Sequence, residues 1–252
     1  MVEICSLASG SNGNCYYIGD DNEAVIVDAG IGWRRFSERM KTAGLDVCRV
    51  RAIFVTHEHR DHAGSARVVA KKLFIPTYMT AGTYYRIYAR HRPSPFCAIE
   101  PDSVTEIGGI RVHSFPKSHD AASPVSFRIE IAGHTVGVMT DIGVADAVVC
   151  KNFSMCDAVF LESNYDPQML IDGPYEAYLK ERVGSDVGHL SNFQAYSLVR
   201  EHANPSLSHI ILSHISADNN TSEKILEAFA DVSDKYNISL ASRYECGAVV
   251  RI

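Results

Sequence analysis

Long apolar runs are missing from this 252-residue chain. None approaches the roughly eighteen consecutive apolar residues that a membrane-spanning helix requires, so no membrane partner is expected. Nor is a secretory signal expected, because the opening Met1-Val2-Glu3-Ile4-Cys5 is acidic where such a signal carries positive charge. The seven cysteines, at positions 5, 15, 48, 97, 150, 156 and 246, show no paired spacing. Such a set reads as reduced thiols of a cytoplasmic protein rather than as a disulfide framework. Excess positive charge is also absent, the formal net charge being -6. A nucleic-acid substrate would therefore have to be held by local cationic patches and bound metals, not by the field of the whole molecule. No low-complexity linker divides the chain, and its length favours a single domain over residues 1–252. A hydrophobic fraction of 46% with 21% charged residues is that of a soluble globular protein.

What the chain does have is a concentration of metal-ligating side chains after one apolar run. Ala52-Ile53-Phe54-Val55 leads into Thr56-His57-Glu58-His59-Arg60-Asp61-His62, which places three histidines and an aspartate within six residues. In an extended backbone residues two apart share a face, so His57 and His59 aim at one point. If the chain then turns into a helix over Ala63 to Leu73, Asp61 and His62 face a second point nearby. Neutral imidazole and carboxylate suit zinc and neighbouring divalent ions.

Around this motif the chain reads as alternating strands and helices. Strands are expected at Val2 to Leu7, Cys15 to Ile18 and Ala24 to Val27, with a turn-rich loop from Ser9 to Asn14. This loop either donates backbone N–H groups to a phosphate or is a tight hairpin connection. Helix is expected from Gly32 to Ala43 and strand near Pro76 to Met79. The segment Tyr84-Tyr85-Arg86-Ile87-Tyr88-Ala89-Arg90-His91-Arg92 interleaves rings and cations. Arg86, Arg90 and Arg92 either pair phosphates beside tyrosines that stack on bases, or decorate the outside of an amphipathic helix. Beyond Pro93-Ser94-Pro95, strands are expected at Val104 to Ile107, Ile110 to Phe115, Val125 to Ile131 and Thr135 to Thr140, then at Ala158 to Glu162 and His209 to Ser213. Helices are expected around Pro174 to Arg182, Asn192 to His202 (capped by Ser191) and Ser222 to Lys235. Val25 to Gly30 and Val136 to Gly143 are alike, each an apolar strand ending in aspartate and a glycine turn, a sign of two similar halves. Two sheets packed face to face with helices outside are expected.

A metal site needs more ligands than one motif supplies. His119, Asp141 and His214 each follow an apolar strand, as His57 does, and a layered sheet gathers its strand ends along one edge. Lys117, two residues before His119, reads as a solvated lysine. His91, His113, His134, His202 and His209 lack partnering motifs and read as structural.

The series His57-x-His59-x-Asp61-His62, His119, Asp141 and His214, with Asp28 ending an early strand, resembles the metallo-β-lactamase superfamily along essentially the whole chain. The resemblance implies an α+β, four-layer αββα sandwich with its site along one edge of the sheets. It implies that His57, His59 and His119 hold one divalent ion, that Asp61, His62 and His214 hold a second, and that Asp141 bridges them. Asp28 would support the ligand loops. The ions could be zinc, manganese, iron or nickel. Ser6 to Cys15, Ser118 to Ala122, Leu161 to Asp166, Gly188 to Asn192 and Leu212 to His214 further resemble the YycJ/WalJ proteins. That family implies a metal-dependent exonuclease that degrades DNA from 5′ ends and serves repair, using a metal-bridging hydroxide as nucleophile. Asp61 and His189 would be its catalytic residues. His189 resembles the histidine that protonates the leaving oxygen in tRNase Z enzymes, or else is structural. Glu162 either orients a ligand or His189, or caps a loop. Only about seventy residues separate Asp141 from His214, which leaves no room for the insertion of the larger RNA-processing members. The same metals would equally serve a hydrolase of thioesters, lactones or cyclic nucleotides, and the acidic net charge suits such substrates. Oligomeric state is not legible in the sequence.

Overall fold

Short runs of β-branched and aromatic residues, punctuated by glycine and proline turns, give fourteen strands in the computed structural model, which describes residues 1–252. The first six are β1 (Glu3–Ala8), β2 (Cys15–Gly19), β3 (Ala24–Val27), β4 (Val50–Phe54), β5 (Thr77–Thr80) and β6 (Phe96–Ile99). They are followed by β7 (Ser103–Ile107), β8 (Ile110–Pro116), β9 (Val125–Ile131) and β10 (His134–Met139). The last four are β11 (Ala158–Glu162), β12 (His209–Ser213), β13 (Asn237–Leu240) and β14 (Val250–Arg251). Two seven-stranded sheets result, ordered β14-β1-β2-β3-β4-β5-β6 and β13-β12-β11-β10-β9-β8-β7.

Each sheet changes character at one strand. β3 pairs antiparallel with β2 but parallel with β4, and β10 pairs antiparallel with β9 but parallel with β11. These are the strands followed by Asp28 and Asp141, so the two halves resemble each other in topology as well as in sequence.

Burial separates into three apolar layers. Tyr16, Val25, Phe54, Phe127, Val136 and Phe160 belong to a core shared by both sheets. Phe54 meets Phe127 edge-on at 5.5 Å and Tyr16 meets Phe160 at 4.9 Å, joining one sheet to the other. Outside the first sheet, Phe36 and Met40 of the helix Trp33–Thr42 and Val69 of the helix Ala66–Leu73 pack on Leu7, Tyr17 and Ile53. Outside the second, Val149 and Phe153, Ala195 and Leu198, and Ile225 cover Val159, Leu161 and Leu212 from three helices. The order is therefore helix, sheet, sheet, helix, as expected.

Most elements fall where their patterning places them, with instructive exceptions. The helix expected over 63–73 is two pieces, Arg60–Ala63 and Ala66–Leu73, the second stopped by Phe74 in the left-handed region at φ 58°. The helix expected through residues 84–92 ends at Arg86, with only a 3₁₀ turn at Ala89–His91. Pro93 disfavours helix in the residue before it, and Arg92 turns back to take the carbonyls of Tyr84, Tyr85 and Ile87. The helix begun at Ser222 stops at Ala228, short of Lys235. The helices Ala147–Phe153 and Pro167–Asp172 and the strand β6 were not expected. Both helices are short, and their start signals are Asp146 and Asp166, whose carboxylates accept from first-turn N–H groups. Ser191 does cap the helix Asn192–His202, in a reciprocal box with Gln194.

The loops leaving β11 and β12 are pinned by buried amides. Asn220 Nδ2 donates to the carbonyls of Ser163 and Asn164, both at 3.0 Å, and to Asn192 Oδ1 at 2.8 Å. Removing it strands several buried polar groups, each worth about 1–3 kcal/mol. Asn220→Ala should lower the unfolding free energy by at least about 1 kcal/mol in urea titrations. An unchanged midpoint would show the network to be dispensable.

Candidate metal centre

The loop after β4 delivers the first group of donors. Thr56 Oγ1 lies 2.9 Å from His57 Nδ1, leaving His57 Nε2 to point at His59 Nδ1, 3.0 Å away. His119 enters from the second sheet after β8. Its Nδ1 lies 3.1 Å from the Gly188 carbonyl, and its Nε2 lies 3.4 Å from His59 Nδ1. His57, His59 and His119 thus bring three imidazole nitrogens within 4.8 Å of one another.

The second group forms around His62. Its Nδ1 lies 2.7 Å from Asp28 Oδ2, and its Nε2 faces Asp61 Oδ2 at 3.4 Å and Asp141 Oδ2 at 3.1 Å. His214, after β12, adds Nε2 at 3.6 Å from Asp61 Oδ2. Asp61, His62 and His214 again bring ligand atoms within 4.8 Å. Asp141 reaches both groups, its Oδ1 lying 3.8 Å from His119 Nε2 and 3.5 Å from His214 Nδ1. Five expected ligands, His57, His62, His119, Asp141 and His214, are buried, and His59 and Asp61 are partly exposed toward the opening.

Backbone geometry aims these side chains. Asp28, Asp141 and His214 all have positive φ, at 61°, 55° and 54°. Left-handed backbone costs a non-glycine residue about 1–3 kcal/mol and persists where the surroundings enforce it. Here it bends the chain sharply at the carboxyl end of β3, β10 and β12. Gly30 lets the loops close up, since a Cβ there would lie 1.7 Å from the Asp61 carbonyl oxygen.

The polar supports are equally specific. Asp28 accepts from the Thr56 amide at 2.8 Å as well as facing His62. Glu162 Oε2 accepts from the Ile142 and Leu190 amides, and its Oε1 takes His189 Nδ1 at 2.9 Å and His214 Nδ1 at 3.0 Å. Glu162 therefore orients both imidazoles rather than capping a loop alone: the backbone amides hold Oε2, and Oε1 faces the site beside Asp141, His189 and His214. Asn14, in the loop after β1, was not singled out by the sequence. Its Nδ2 lies 2.9 Å from His62 Nε2 and its amide donates to the Asp61 carbonyl at 2.7 Å. That loop is a hairpin connection which braces the metal motif.

Charges in this edge are tightly interlocked. Burial alone would depress His214, but Asp141, Asp61 and Glu162 outweigh it and raise its pKa to about 10. Burial opposed by Asp141, Asp28 and Asp61 likewise leaves His62 well above the imidazole range. Burial drives His57 well down and His119 to about 4. Asp141 stays well below the carboxylate range despite burial, through His214, His62 and Lys117. A cation fits this donor set: Asp141 Oδ2 and His214 Nε2 are buried without a hydrogen-bond partner, and the donors are the nitrogen and oxygen groups that divalent ions prefer.

Lys117 is a correction. It is not solvated but 5% exposed, its Nζ donating to the Thr140 carbonyl at 2.7 Å behind Asp141. Burial lowers its pKa. The polar neighbourhood of the sequence hid the fact that the segment leaving β8 carries it inward. Asp120 and Arg182 were also missed. Asp120 Oδ1 lies 3.3 Å from His119 Nε2, while its Oδ2 takes Arg182 Nε at 2.6 Å. Arg182 lines a cavity of about 220 Å³ with His59, Asp61, His119, Asp141, His189 and His214. Nothing in the local sequence of the helix Ala177–Val183 marks Arg182, because its role depends on a contact to a residue far away in the chain.

The basic-aromatic segment divides. Arg86, Tyr88 and Arg90 line an adjoining groove of about 590 Å³ that includes His59 and Arg60. Arg92 stands apart, its guanidinium engaged by backbone carbonyls and lying over the Tyr84 and Tyr85 rings at 5.2 and 5.3 Å. It clamps the helix end instead of facing the groove.

With this geometry in place, similarity to known proteins is specific. The family model of the metallo-beta-lactamase superfamily matches residues 8–185. The chain belongs to this superfamily. It is 31% identical over 242 residues to the exodeoxyribonuclease YycJ of Bacillus anthracis, covering 95% of this chain and 92% of that one. The exodeoxyribonuclease WalJ of Streptococcus pneumoniae serotype 2 is 30% identical over 223 residues, covering 86% and 82%. The protein thus falls in the YycJ/WalJ-like branch and is a metal-dependent hydrolase. In fold it superposes on the metallo-beta-lactamase fold protein YhfI of Bacillus subtilis with a TM-score of 0.74, at 15% identity and over 100% of both chains. No helix is long and apolar enough to cross a membrane.

A metal ligand must present a deprotonated nitrogen, so an ion held by His62 and His214 would displace protons from them at neutral pH. Adding zinc to the metal-free protein in weak buffer should acidify the solution by up to about two protons per chain, and affinity should fall as pH falls. Pale indicator readings unchanged by stoichiometric zinc would contradict this.

Proposed function

We propose that this protein is a dinuclear metal-dependent phosphodiesterase that acts on DNA in the cytoplasm, removing nucleotides from 5′ ends. The observation that carries the reading is the pair of converging donor groups that share Asp141 beside an arginine-lined groove. Relatives named as exodeoxyribonucleases over most of their length support the choice of DNA.

His57, His59 and His119 would hold one ion, Asp61, His62 and His214 the other, with Asp141 between them; zinc, manganese, iron and nickel all suit these ligands. When bound, two such ions supply Lewis acidity, activate water near neutral pH and neutralise the charge developing on a phosphodiester. The chain's own residues do the rest. Asp28 fixes His62 through Nδ1, which keeps Nε2 turned to the site. Glu162 fixes His189 through Nδ1, leaving Nε2 to hand a proton to the departing 3′ oxygen. Arg86 and Arg90 pair the phosphates of the strand, and Tyr88, 80% exposed, offers its ring to a base. Arg182 keeps a cation at the pocket wall, held off the ligands by Asp120.

Asp141→Ala should abolish hydrolysis of end-labelled DNA with the fold retained by circular dichroism; full activity would show that Asp141 does not join the two ions. His189→Ala should lower kcat by about 10²–10⁴-fold while leaving metal content unchanged, and Glu162→Gln, which loosens the same imidazole, should lower kcat in the same direction. A panel of thioesters, lactones and cyclic nucleotides run beside the DNA tests the competing substrate class. Turnover of one of these with DNA untouched would replace the present reading.

A further inference from the structure

A second and larger groove opens on the other side of the metal motif. It measures about 990 Å³ and is lined by Arg34, Arg35, Arg60, Trp33, Ser11 and Asp61 among others. The metal pocket shares Ser11 and Asp61 with this groove, and shares His59 with the groove of Arg86 and Arg90. Both grooves therefore open into the pocket, one past Asp61 and the other past His59, with Arg60 and Gly64 on the wall common to them.

The chemistry of the two grooves is alike. The chain as a whole is acidic, at -6, yet arginines gather along this one path. In the larger groove Arg34 is tied to Glu38 at 2.9 Å, while Arg35 and Arg60 stand exposed. Guanidinium groups in a concave surface match phosphate oxygens and concentrate polyanions locally. The wall they occupy begins at Gly32, the N-cap of the helix Trp33–Thr42, which supplies no side-chain cap, so first-turn N–H groups remain for an anion. A site built only to hold the terminal nucleotide would need one such groove.

We infer that the larger groove is a second polynucleotide subsite, through which a single DNA strand continues past the metal pocket. The inference rests on the DNA-hydrolysing reading above and extends it. A strand gripped on both sides presents an internal phosphodiester to the ions, and no free end is required. The site then acts on single-stranded DNA that has no ends as well as on strands with a 5′ end.

The test uses the full chain loaded with metal and three substrates: bis(p-nitrophenyl) phosphate, an end-labelled linear single strand and a closed single-stranded circle. The wild type should hydrolyse all three. Arg35→Glu should lower binding and cleavage of the circle at least about tenfold and reduce the salt slope of binding by about one, leaving bis(p-nitrophenyl) phosphate turnover unchanged. Lys72→Glu, the same charge change on an exposed residue outside both grooves, should leave all three rates as they were. A circle that survives while the linear strand is degraded overturns the inference and leaves the proposed function standing, as does an Arg35→Glu variant with wild-type cleavage and salt slope. Turnover of bis(p-nitrophenyl) phosphate with neither DNA cut defeats the DNA reading itself, and this inference with it.

Discussion

Four carboxylates and a ring of imidazoles crowded into one buried edge set the terms for this molecule. Asp28, Asp141 and Glu162 are buried and Asp61 is partly exposed at the opening, with His57, His62, His119 and His214 among them. Unpaired, such charges would cost several kcal/mol each to remove from water. They persist because each has a defined counterpart: Asp28 with His62, Glu162 with His189 and His214, Asp61 with His62 and His214. Lys117 adds a buried cation behind Asp141. Asp141 Oδ2 and His214 Nε2 make ion-pair contacts to His62 and Asp61 but no well-aligned hydrogen bond, and divalent cations would satisfy them.

The fold exists to hold that edge. Two sheets joined by Phe54, Phe127, Tyr16 and Phe160 fix the separation between the His57 loop and the His119, Asp141 and His214 loops. Each sheet switches from antiparallel to parallel pairing at a strand that ends in aspartate, so the switch points of the two halves lie side by side. Positive φ at Asp28, Asp141 and His214 is the local cost of turning those strands into the site. Glu162 couples His214 to His189 through one carboxylate oxygen, so in the proposed mechanism proton handling and metal binding would share that carboxylate.

Much of this could be read from residues alone, and the reason is physical. His57, His59, Asp61 and His62 are contiguous, and a strand end converts contiguity into convergence. His119, Asp141 and His214 are each preceded by an apolar strand, so their placement at the same edge follows from layering. Asp28 and Glu162 were visible as strand-terminal acids, although only the structure connects Glu162 to two imidazoles at once. Asp120, Arg182 and Asn14 were invisible as participants because their roles exist only through tertiary contacts. Lys117 was misread because its inward turn just after β8 leaves little trace in a stretch that also holds Pro116, Ser118 and Asp120. The segment 84–92 was half legible: its arginines and tyrosines reach a groove through Arg86, Tyr88 and Arg90, while Arg92 serves its own backbone.

The proposed function turns on whether a pair of ions meets at Asp141. Anomalous diffraction from crystals equilibrated with saturating zinc or manganese measures this most directly. The account predicts two peaks flanking the Asp141 carboxylate, one within bonding distance of His57, His59 and His119 and the other of Asp61, His62 and His214. A single peak, or two peaks of which neither contacts Asp141, would contradict it.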